Sequence, residues 1–136
     1  MVGLLKKEVS MQFDEVVTHI EKVIKEEGPS ILLTKSIDEI LKKKLGMKDY
    51  TRYTIILACS PELAKMSLDV SKDVGNLFPC NFVVYKDDDK IIVSHISIIK
   101  AAVETGLAPK KEMDPVIKKT EDLVHRIWAK IEGSDL

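Results

Sequence analysis

Apolar residues recur along this chain with different periods, and each period predicts a different element. Phe13, Val16, Val17, Ile20, Val23 and Ile24 fall at helical spacing while Asp14, Glu15, Glu21 and Lys22 turn away, so an amphipathic helix is predicted, closed by Gly28-Pro29. Ser10 is the residue expected to cap it. Ahead of it, "LLKKEVS" (4–10) reads as an edge strand or extended lead-in. "SILLTK" (30–35) reads as a strand. Ser36, with Glu39 three residues later, predicts a capping box at the start of a short helix carrying Ile37, Ile40 and Leu41, whose last turn holds Lys42, Lys43 and Lys44 before Gly46.

"YTIILAC" (53–59) is apolar without alternation, the pattern of a central strand covered on both faces. "NFVVYKDDDKIIVSHI" (81–96) is two apolar runs flanking a charged turn, which predicts a hairpin. In "SIIKAAVETGLAPKKEM" (97–113) helical spacing gives way to Gly106 and Pro109, so a short helix and a linker are expected. Asp114 and Pro115 then read as the cap and first residue of a final helix with Ile117, Thr120, Val124, Ile127, Trp128 and Ile131 on one stripe. Strands with helices at both ends and between them predict an α+β two-layer sandwich, one domain over residues 1–136 with its core at about 4–131.

Composition narrows the function classes. The 136 residues carry a formal net charge of −1 with 45% hydrophobic and 32% charged residues, a balance that argues against disorder and gives nucleic-acid binding no support. No apolar run reaches the roughly 18 residues needed to cross a bilayer, and the N-terminus lacks a signal-peptide core, so a soluble cytoplasmic protein is expected. Cys59 and Cys80 are the only cysteines, too few for a disulfide framework.

Chemistry concentrates at "ACSPELA" (58–64). Cys59 ends a strand, Ser60 suits the N-cap, Pro61 suits the first helical position and Glu62 complements the dipole. The free amides of a helix N-terminus favour anions, so they would favour a thiolate at Cys59. Cys80, in "LFPCNFVVY" (77–85), opens another apolar strand behind Pro79. Antiparallel pairing of the two strands would bring both cysteines to one end of the sheet, and a parallel crossover would separate them. Sequence leaves that choice open.

With Gly28, these two segments resemble the family of domain of unknown function 302 (DUF302), over about Lys6 to Trp128. Pro29 stands where the family commonly has an aromatic residue, and Ser60 where asparagine is frequent, an exchange that keeps the capping chemistry. The resemblance implies a β-α-β(4)-α sandwich with helices on one face of an antiparallel sheet, and a homodimer. It implies no activity and no cofactor.

The leading expectation is a non-enzymatic protein binding a small anionic or thiol-reactive ligand, or a metal, at Cys59, Ser60, Pro61 and Cys80, with His95 of "IIVSHIS" as an additional ligand or proton acceptor. A sulfur or redox enzyme using the cysteine pair, and a structural module with core cysteines, are the alternatives. No phosphate loop, nucleophile elbow, dinucleotide fingerprint or zincin motif is present. Asp87, Asp88 and Asp89 lack calcium-loop spacing and read as a solvated turn.

Overall fold

A computed structural model describes residues 3–136, so Met1 and Val2 of the expected domain lie outside the described residues. In chain order the elements are β1 (Leu5–Val9), α1 (Phe13–Glu26), β2 (Ser30–Ser36), α2 (Ile37–Leu45), β3 (Tyr53–Cys59), α3 (Pro61–Val70), a 3-10 turn (Lys72–Leu77), β4 (Cys80–Asp87), β5 (Lys90–His95), α4 (Ile98–Glu104), α5 (Lys110–Lys130) and β6 (Ser134–Asp135). The strands form one antiparallel sheet in the order β2-β3-β4-β5-β1-β6, giving an α+β fold.

The core lies where α1 and α5 meet one sheet face. Val16, Ile20, Val23 and Ile24 of α1 and Ile127 and Trp128 of α5 pack with Ile56, Ala58, Phe82, Val84 and Val93. Side chains alternate across a strand, so Thr54, Ile56 and Ala58 of β3 are buried while their neighbours are half-buried. The continuous apolar run therefore does not mark full cover on both faces, and β3 is the second strand of the sheet rather than a central one. Beyond the sheet end, Val74, Ile98, Ile99, Ala102, Met113 and Val116 form a second cluster. Leu77 and Phe78 pack against it, so they do not form an exposed patch.

Local signals mostly set the element ends, and four did so differently from the sequence expectation. β1 is not an edge: β6 pairs with it through Lys7 and Glu8, and the Leu136 amide donates to the Lys6 carbonyl. The N-cap of α1 is Gln12, two residues past Ser10. Ser36 occupies the N-cap of α2 but caps no amide, because its hydroxyl donates to the Asp38 carboxylate at 2.8 Å; that carboxylate also accepts from the Tyr53 amide at 2.9 Å. α5 begins at Lys110, and Pro115 lies inside it. Pro115 stands in the second turn, where its missing N–H removes a single backbone bond, and the apolar anchors Met113 and Val116 on either side hold the helix on the core.

Candidate functional site

The corner folds as its residues dictate. Ser60 is the N-cap of α3, its Oγ accepting from the Leu63 amide at 3.5 Å, and Pro61 takes the first helical position. β3 and β4 run antiparallel, so Cys59 and Cys80 do reach the same end of the sheet. The register sets Cys80 opposite Ala58 rather than Cys59. With a side-chain period of two, the cysteines fall on alternate positions of the pleat, and the two thiols are not near each other. This corrects the expectation of a cysteine pair, whether as a redox couple or as two ligands of one metal. Among the described residues no group of three or more His, Cys, Asp or Glu side chains is placed to hold a metal ion.

Between the sheet end, α3, α4 and α5 lies a cavity of about 70 Å³ walled by Cys59, Ser60, Ala64, Ser67, Phe78, Cys80, Phe82, His95, Ile98, Thr120, Leu123 and Ile127, among others. Its wall is almost wholly apolar, and among the described residues no lysine, arginine or carboxylate contributes to it. The two buried hydroxyls are already committed: Ser67 donates to the Leu63 carbonyl at 2.7 Å and Thr120 to the Val116 carbonyl at 2.9 Å, each along its own helix. Pro61 does not border this cavity. It belongs, with Glu62, Lys119 and Arg126, to a charged outer groove of about 410 Å³ that shares Pro29, Ser60, Leu63 and Leu123 with the cavity wall.

Burial divides the titratable groups of the wall. It pushes the Cys80 thiol up to about 11. Such a thiol is protonated at neutral pH, which weakens Cys80 as a nucleophile and suits it to the apolar wall. His95 is likewise buried, which holds its pKa below the ordinary imidazole value against the opposing bond to Asn81. Its Nδ1 lies 2.7 Å from the Asn81 carbonyl oxygen and its ring stacks on Phe82, centroids 4.3 Å apart. His19 instead bonds the Lys130 carbonyl at an exposed position, and His125 borders a separate, more polar pocket.

Of the residues that wall the cavity, the sequence reading singled out Cys59, Ser60, Cys80 and His95 and passed over Ala64, Ser67, Phe82 and Thr120. Small residues at Ala64 and Ser67, three apart on one side of α3, are the signal that was available, since they leave room where larger side chains would fill the gap. The assembly of wall residues from β3, β4, β5 and three helices has no linear signature.

The fold has known relatives. A crystal structure described as an uncharacterized conserved protein DUF302 from Bacillus stearothermophilus superposes with a TM-score of 0.82 over 95% of this chain and 98% of that one, at 21% identity. At that identity the likeness speaks for the fold. None of the curated proteins matches the chain. The family model of domain of unknown function DUF302 matches residues 5–131, nearly the whole of the sheet and both core helices, and the chain belongs to that family.

Proposed function

We propose that the protein binds a small, uncharged, mostly apolar molecule in the cavity beneath the Cys59-Ser60 corner, and that it does so as a cytoplasmic homodimer without catalysing a reaction. The observation that carries this reading is the convergence of Cys59 and Ser60, Cys80 and His95, from three separate places in the chain, on one apolar cavity. By the measure in which one water needs roughly 10–15 Å³, 70 Å³ takes a molecule of about five non-hydrogen atoms. An anion is disfavoured because no cation among the described residues lines the space, and burying an unpaired charge is costly. Cys59 borders the cavity beside Ser60, which walls both the cavity and the outer groove, and contacts what enters, while a reducing cytoplasm keeps both free thiols as they are.

Dimerisation is supported by β2. It ends the sheet with an unpaired edge, and Leu32 and Leu33 on it are 56% and 49% exposed. An antiparallel strand edge is self-complementary under a two-fold axis, so a second copy of the same strand is its natural partner.

Native mass spectrometry of freshly purified protein under anaerobic, non-denaturing conditions tests both parts. The expected result is a dimer mass carrying an additional small organic mass, released on denaturation and absent when Ala64→Phe fills the cavity. Cys59→Ser is expected to lower occupancy with little loss of stability. A bare monomer, or an added mass that survives in Ala64→Phe, would overturn the proposal.

A further inference from the structure

This inference rests on the cavity just proposed as a ligand site and concerns the chemistry of what it holds. His95 is 4% exposed, and its Nδ1 faces the Asn81 carbonyl oxygen. A carbonyl oxygen only accepts, so the proton of the neutral ring sits on Nδ1 and Nε2 is left as a bare acceptor. Stacking on Phe82 fixes the plane of the ring. Among the described residues none hydrogen-bonds Nε2. Yet among the described residues no sealed side-chain nitrogen or oxygen lacks a partner, so Nε2 is not sealed and opens toward the two spaces that His95 borders, the cavity and the more polar pocket beside it. With no protein donor, Nε2 is met only by what enters those spaces, a water or a ligand.

We propose that the cavity's ligand is an uncharged molecule with one hydrogen-bond donor, an N–H, O–H or neutral S–H, held on Nε2 of His95 while its apolar remainder lies against Phe82 and Ile98. The wall's other acceptors are weaker: the Ser67 and Thr120 hydroxyls donate to their own helices and accept only through a hydroxyl oxygen, less basic than an imidazole nitrogen, and Cys80 is a half-buried thiol. His95, Thr120 and Val124 also wall the neighbouring pocket of about 210 Å³, which holds the Lys100–Glu121 ion pair. The donor end of the ligand is therefore the end nearest that polar pocket, and the apolar end lies toward Cys59.

Pyrrole and furan test this directly: both are five-membered rings of nearly equal size, one carrying an N–H donor and the other only a weak acceptor. In NMR titrations of the full chain with 15N-labelled histidine, pyrrole is expected to bind about tenfold more tightly than furan. Pyrrole is also expected to shift the His95 Nε2 resonance, and furan to leave it in place. His95→Phe should erase the preference while keeping furan binding, and the wild-type pair decides the matter even where that variant does not fold. Equal or tighter furan binding, or a pyrrole preference that persists in His95→Phe, overturns the donor assignment. Xenon separates the two levels. Xenon binding without a pyrrole preference sinks the donor assignment and leaves the cavity standing, whereas absence of xenon, pyrrole and furan binding together sinks the cavity as a ligand site.

Discussion

In the native protein Cys80 is expected to react with iodoacetamide at pH 7.5 about a hundred times more slowly than the same residue in the denatured chain. Its thiol is pushed from an ordinary 9.0 up to about 11 by burial, so the thiolate fraction at neutral pH falls by roughly two powers of ten. Packing of Cys80 against the second cluster adds to the protection. Mass-spectrometric alkylation kinetics, with and without denaturant, measure the ratio, and similar rates in the two states would show that Cys80 is an accessible, ordinary thiol. The same shift predicts a pH effect. A group whose folded-state pKa is raised contributes stability that is fully present below its unfolded value and lost as pH rises through the folded one. The contribution of Cys80 should thus be intact below about pH 9 and disappear toward about pH 11, amounting to about 3 kcal/mol across that window. Cys80→Ala removes the titration, so the difference in unfolding free energy between wild type and variant should shrink as pH rises through the window. A difference constant with pH would contradict it.

Replacing Lys7 with alanine is expected to cost about 3 kcal/mol of stability. Lys7 is 5% exposed, and its Nζ donates to the carbonyls of Trp128 at 2.7 Å and Ile131 at 2.6 Å while standing 4.7 Å from the centre of the Trp128 ring. Both carbonyls stand at the end of α5, where no further turn follows: that of Trp128 also accepts from the Ile131 amide at 3.1 Å, and that of Ile131 lies past the helix. Burial lowers the lysine's pKa, and the Asp135 carboxylate opposes that shift. Asp135 is tied in turn to the Trp128 indole N–H at 2.9 Å. One side chain thus joins β1, the end of α5 and β6. The closeness of that joint also requires Gly133, where a Cβ would collide with the Glu8 carbonyl oxygen. Lys7→Met keeps most of the aliphatic stem and should recover roughly half of the loss, the remainder being the two lost charge-assisted bonds, after which the Trp128 carbonyl still accepts from the Ile131 amide. Denaturant unfolding with an unchanged slope gives both values. In Lys7→Ala the Leu136 amide, which bonds the Lys6 carbonyl, should also exchange its hydrogen faster. A loss below about 1 kcal/mol would show that the joint is dispensable.

Lys7 also illustrates a limit of pattern reading. In "LKKEV" both lysines look solvated, and nothing local says that the second lies on the helix-covered face. That follows from register: Lys7 stands opposite Val93, whose side chain is in the core, whereas Lys6 stands opposite Ser94. Pro115 is a second instance, since an Asp-Pro pair reads as a helix start while packing of Met113 and Val116 extends α5 a turn and a half further back. Ser36 is a third. Its capping box is displaced because Asp38 also receives the Tyr53 amide, 15 residues away in sequence.

What the sequence by itself determined is what depends on neighbours in the chain. The amphipathic period of α1, the hairpin around Asp88 and Asp89, the Ser60-Pro61 start of α3 and the left-handed Gly46 closing α2 all follow from local sterics, capping and the placement of apolar residues. With them came the α+β class and the family. Tertiary structure alone decided the rest: strand direction brought Cys59 and Cys80 to one end of the sheet, and a register of one residue kept their thiols apart. It also decided that His95 is buried with Nδ1 occupied and Nε2 free, because Asn81 and Phe82 reach it only through the pairing of β4 with β5. Such features depend on which face of a strand meets which partner across the sheet, and a side-chain period of two makes that choice turn on a single residue of register that no local pattern encodes.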